Sequence, residues 1–198
     1  MIRQKKKPIS LLFLLGANLL PLFGVLYWDW DAQMILFLYW AESGVVGVFG
    51  LLRILLIPRG KMQKGLHSIV GEILVKLIAL VFFTFHFGIF MGGHGVFLAT
   101  IFGIPHITRH ITAAIALLVI SHGASFIFNT LQSQEYKQFE PKHIMAQPYK
   151  RIIVMHFTII IGGIFIQSLD GPTAGVALLV VMKILLDASA HIKEHKQF

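Results

Sequence analysis

An all-α bundle of six membrane-crossing helices is expected from three features of this chain. Apolar runs of about 20 residues recur from end to end, each long enough to cross roughly 30 Å of hydrocarbon. Only 13% of the 198 residues are charged and the mean hydropathy is +0.76, whereas soluble domains carry nearer a quarter charged residues. The basic residues fall in short groups between the apolar runs, where loops would be.

The same composition narrows the function. A formal charge of +8 suits nucleic acid when the cations form a long stripe with interleaved aromatics, and here they do not. The chain has no cysteine, which excludes disulfides, thiolate metal centres and iron–sulfur clusters. A metal would have to be held by imidazole, carboxylate or carbonyl groups.

The first expected span covers residues 10–28. It follows the cations Arg3, Lys5, Lys6 and Lys7 and ends in Tyr27, Trp28, Asp29, Trp30. Its apolar run is longer than that of a signal peptide and no small-residue cleavage site closes it, so it reads as a retained helix, with Pro21 placed to kink it. The second span, 31–57, is closed by Pro58 and the cations Arg59, Lys61 and Lys64. The third, 69–102, is longer than a bilayer requires; either it tilts and protrudes or, the favoured reading, it breaks at Gly92 and Gly93 and leaves 96–104 as an interfacial or re-entrant piece. The fourth runs 109–131. In the polar stretch that follows, Pro141 and Pro148 argue against a continuous helix. The fifth (151–169) and sixth (173–191) are joined by the turn Asp170, Gly171, Pro172. Residues 1–198 are expected to form a single integral membrane domain.

Charge placement tests this layout independently of hydropathy. With the N-terminus cytoplasmic, the inner segments hold Arg3, Lys5, Lys6, Lys7, Arg59, Lys61, Lys64, Lys137, Lys142, Lys150, Arg151, Lys193 and Lys196, and Arg53, Lys76 and Lys183 lie near inner helix ends. Arg109 alone is outside. One missed crossing would flip every later loop, so this asymmetry argues for six crossings, with both termini cytoplasmic and the chain in the cell inner membrane.

Polar residues recur on single helical faces. The faces are Tyr39, Glu42 and Arg53 on span two; Glu72, Lys76, His86 and His94 on span three; His122, Ser125 and Asn129 on span four; and Lys183, Asp187 and His191 on span six. At a rise of about 1.5 Å per residue, Glu42 and His122 lie near mid-membrane, and His156 lies about 8 Å into span five from its inner end. Ionisable side chains are costly in hydrocarbon and mark functional sites. Two groups are therefore expected: a central one of Glu42, His86 and His122 with His94 or His156 added, and an inner polar network of His156, Asn129, Asp187 and His191.

A carboxylate with two or three neutral imidazoles suits a divalent transition metal (zinc, iron or manganese), which would activate a bound water. The first functional reading is accordingly a metal-binding protein or metal-dependent membrane enzyme, with Glu42, His86, His122, His94 and His156 as ligands. The second is a proton-coupled carrier, since histidine titrates near neutral pH. The third is a noncatalytic subunit. Expected partners are the lipid bilayer and either a second copy or a different subunit. A serine hydrolase is disfavoured, because Ser43 follows Glu42 directly and the other signatures of rhomboid proteases are missing.

The stretches NLLPLFGVLYWDWD, LYWAESGVVGVFGLLRIL and FHFGIFMGGHGVF together resemble a family of uncharacterised prokaryotic integral membrane proteins, the domain of unknown function 6498. Tyr39, Trp40, Glu42, His86 and His94 match that pattern and Ser43 departs from it. The resemblance implies a multi-span membrane domain and assigns no activity.

Overall fold

The structure is a computed structural model that describes residues 21, 23–58, 60–62, 68–168, 180 and 181. Most of expected spans one and six falls outside these residues. Among the described residues every regular element is a helix. Three helical stretches are long and apolar enough to cross a membrane: Gln33–Leu55, Ile69–Ile101 and Arg109–Gln132. Among the described residues three such stretches are therefore seen, where the sequence leads to an expectation of six over the whole chain.

The chain divides into two units, Leu36–His156 and Met1–Ile35 with Phe157–Phe198. Within the second, residues 23–27 are helical and the amides of Trp28 and Trp30 both donate to the Gly24 carbonyl at 3.0 Å. Asp29 adopts φ 52° at this turn, a left-handed conformation that aspartate tolerates better than most residues. The Trp30 ring lies so close to Gly24 that a Cβ there would come within 2.8 Å of its Cζ3.

Helix α1, Ala32–Leu55, starts where Asp31 Oδ1 accepts the Met34 amide at 2.8 Å, an N-cap that satisfies one orphan donor of the first turn. It ends just before Pro58, whose ring disfavours helix in the residue preceding it. Helix α2, Ile69–Ile101, is continuous through Gly92 and Gly93, so the expected break does not occur. A helix satisfies all its backbone groups internally, whereas a break in an apolar environment would strand several of them. The helix stops only at Gly103, which has φ 83°; Pro105 follows two residues later, the usual punctuation of a C-terminus.

The surplus length of α2 is taken up by overhang. Trp40 of α1 lies against Gly95, Gly44 faces Met91, Gly50 faces Phe83, and Lys76 reaches the carbonyls of Leu55 and Ile57. Numbers fall on one helix as they rise on the other, so the two are antiparallel. Lys76 is level with the end of α1, and Ile69–Val75 project about 10 Å beyond it.

Helix α3, Arg109–Ser125, is capped by Thr108, whose hydroxyl accepts the Ile111 amide at 3.3 Å, and it passes into a π-helix at Phe126–Gln132. Helix α4 spans Pro141–Ser168 with Pro148 inside it. The fifth helix of the expected layout thus begins ten residues earlier than predicted. Pro141 sits at the first position, where proline costs nothing. Pro148 is buried, with its ring against Gly50: a Cβ there would come within 2.8 Å of Pro148 Cγ. That packing offsets a mid-helix penalty of about 3 kcal/mol. Tyr149 contacts Phe83, His86 and Phe87, and His156 contacts His94, so α4 runs parallel to α2.

Glycines on α1 make this packing possible. Gly44, Gly47 and Gly50 recur every third residue and receive Met91, Phe87 and Pro148, the close approach that small residues allow between membrane helices. Ile54, Ile57, Phe83, Phe87, Phe139, Ile144 and Ile152 form the core beneath them. The opposite face of α2 is apolar and exposed, including Phe85 and Ile89 at 69% and 71%, as suits contact with lipid.

Lys76 ties the far end of this pair together, donating to Ile57 O at 2.8 Å and Leu55 O at 3.1 Å. Glu72, one turn earlier, accepts the Gly60 amide at 2.7 Å. Lys76→Met is expected to lower the unfolding temperature of the detergent-solubilised protein by about 2–8 °C, the equivalent of about 1–2 kcal/mol. Lys76→Arg should recover most of the loss in the same melt, and an unchanged midpoint for Lys76→Met would show that these carbonyls need no donor.

Candidate functional site

The buried stripe of α2 is Phe83, Phe87, His94 and Leu98, separated by four, seven and four residues. Three of these are apolar and one is an imidazole, and that imidazole meets another. His94 Nε2 lies 2.8 Å from His156 Nδ1, with the ring centroids 5.1 Å apart and the planes at 87°. His94 Nδ1 lies 2.7 Å from the carbonyl of Phe90, one turn back.

The carbonyl settles the proton positions. It can only accept, so His94 Nδ1 carries hydrogen in either charge state. In the neutral pair, His94 Nε2 is then the acceptor and His156 Nδ1–H the donor. A proton added at His156 Nε2 makes that ring an imidazolium; its Nδ1 proton can cross to His94 Nε2, leaving His156 neutral with hydrogen on Nε2. It can go no further, because Nδ1 of His94 already holds hydrogen against a carbonyl. The pair can accept, share and return one proton, and it ends a path instead of continuing one.

The other predicted residues have contacts of their own. His86 is exposed; its Nδ1 is 2.9 Å from the Tyr149 hydroxyl, and its ring stacks on Phe82 at 5.2 Å. It lies beside the buried stripe, contrary to the expected polar face, because Phe83 and Phe87 take the interior positions. His122 is half-buried and stacks on Phe49 at 6.3 Å. Glu42 is buried on α1, and the hydroxyl of neighbouring Ser43 donates to the Tyr39 carbonyl at 3.0 Å. Ser43 thus serves its own helix backbone.

Because α4 starts at Pro141, His156 lies about 22 Å along the helix and level with His94. Asn129 is exposed and donates to Ser125 Oγ at 3.1 Å, while Thr130 is the buried residue of that turn. The π-helix explains the exchange: its wider turn brings the fifth residue after Ser125, not the fourth, back to the inner face. Asp187 and His191 lie outside the described residues. Among the described residues, no three His, Asp or Glu side chains gather closely enough to hold a metal.

Two contributors escape the sequence reading. Tyr149 is read there as part of a polar connection, and Trp40 only as a residue that matches the family pattern. The seven-residue spacing of Tyr149 and His156 against the eight-residue spacing of His86 and His94 is a signal for two parallel helices, but only once Pro148 is allowed inside a helix. No curated protein and no solved structure matches the chain. A model of a family of unknown function, DUF6498, matches residues 1–198, and the protein belongs to that family.

Proposed function

We propose that this is a six-helix integral membrane protein of the cell inner membrane, a single domain with both termini cytoplasmic, in which His94 and His156 bind the proton of a proton-coupled carrier. One observation carries the reading: a hydrogen-bonded imidazole pair whose proton positions are locked by a backbone carbonyl. Such a pair is a proton-loading site. The antiparallel and parallel pairings of α2 with α1 and α4 suit alternate crossings, with α3 as the intervening one, and the one-sided distribution of basic residues supports the orientation.

A pH jump applied to protein in lipid vesicles on a solid-supported electrode tests this. The wild-type protein is expected to give a transient displacement current as the pair takes up its proton, and absence of a current would remove the carrier reading. Metal binding, the competing reading, needs a third donor beside the two imidazoles, with Glu42 the available carboxylate. Elemental analysis of the purified protein should find less than one transition metal per chain. A full equivalent that is lost in Glu42→Ala, His94→Ala and His156→Ala would replace the proton-binding assignment with a metal centre.

A further inference from the structure

Two consecutive carbonyls of α2 each take a side-chain donor. Phe90 O receives His94 Nδ1 at 2.7 Å, and Met91 O receives the indole Nε1–H of Trp40 at 2.8 Å. The Trp40 ring also lies against Gly95, where a Cβ would come within 3.1 Å of Cζ2 and 3.3 Å of Cε2. Residues 91 and 95 are one turn apart and flank His94. A single side chain of α1 therefore grips the turn of α2 that presents the imidazole, by one polar bond and one close contact at Gly95.

The grip matters because the bond it protects is short. A rotation of α2 by about 20° moves an atom 6 Å from the axis by about 2 Å, which would break a hydrogen bond. We propose that Trp40 is a positioning residue for the His94–His156 pair, holding α2 at the rotation that brings His94 Nε2 onto His156 Nδ1. Its consequence for proton uptake rests on the carrier reading; its structural content does not. The assignment also gives a physical role to three residues that the opening motifs contain, Trp40, His94 and Gly95.

The test uses full-length protein labelled with 15N-histidine in lipid vesicles. Trp40→Phe keeps an aromatic ring and removes the N–H. Replacement of Trp40 by benzothienylalanine does the same with the indole shape preserved, which guards against misfolding. Gly95→Ala keeps the N–H and removes the seat of the ring. In all three, the His94 Nδ1 and Nε2 resonances are expected to shift and the coupling to His156 to weaken, while His106 in the α2–α3 loop is unaffected. The displacement current should fall about fivefold, the scale of one neutral hydrogen bond. Unchanged His94 resonances in the benzothienylalanine protein overturn the assignment. Shifted resonances in a protein whose wild type gives no current uphold Trp40's role and remove the carrier reading alone.

Discussion

His94→Gln and His156→Gln are each expected to cut the pH-jump current on the order of a hundredfold, the low end of what a positioned proton-transfer group contributes. Glutamine fills similar space and can donate and accept hydrogen bonds, but it has no ring nitrogen to take up a proton, so it separates proton uptake from packing. The double variant should be no worse than either single one, because the two rings act on one shared proton. His86→Gln is the matched control. Its ring is bonded to Tyr149 about 12 Å along α2 from His94, too far for direct transfer, and its current should stay within about twofold of wild type. Equal currents in wild type and His156→Gln would end the proton-loading assignment.

Gly47→Leu is expected to prevent folding, and Gly47→Ala to lower the unfolding temperature by about 2–12 °C, from the roughly 1–3 kcal/mol that overpacking costs. The Phe87 ring occupies the place of the missing side chain: a Cβ at residue 47 would lie 2.7 Å from Cζ, with Cε1 nearer still. The ring cannot swing away, being buried and stacked on Phe83 at 5.1 Å, with Tyr149 edge-on at 6.2 Å. Phe87→Leu in the Gly47→Ala background should restore part of the loss by opening space. Gly88→Ala, on the same stretch of α2 with nothing within 4 Å of its Cβ position, should be harmless or slightly stabilising, because alanine restricts the unfolded chain. Equal melting behaviour of Gly47→Ala and Gly88→Ala would show that the helices do not pack as described.

The helical architecture was readable because hydropathy and helix length are properties of contiguous residues. Gln33–Leu55, Ile69–Ile101 and Arg109–Gln132 all fall within two residues of the spans expected for them. The errors came from rules that are local where the structure is not. Pro148 breaks an isolated helix, yet it is tolerated where Gly50 makes room for its ring. Gly92 and Gly93 look like a hinge, yet α2 passes through them because no lower-energy route exists for its backbone groups. The π-helix after Ser125 changed which residue faced inward, and nothing in the composition of FIFNTLQ marks it.

The candidate site was legible as a set of residue types and not as a set of partners. His94 and His156 both read as costly imidazoles on apolar helices, but nothing along the chain pairs one with the other. The sequence by itself determined that this chain is helical, apolar, free of thiols and furnished with ionisable groups inside its apolar helices, since each of these follows from neighbours along the chain. Only the tertiary structure decided which of those groups meet. Side chains 62 positions apart are brought to 2.8 Å by the rotation and register of α2 against α1 and α4, and those depend on glycine seats and ring contacts that no periodicity records.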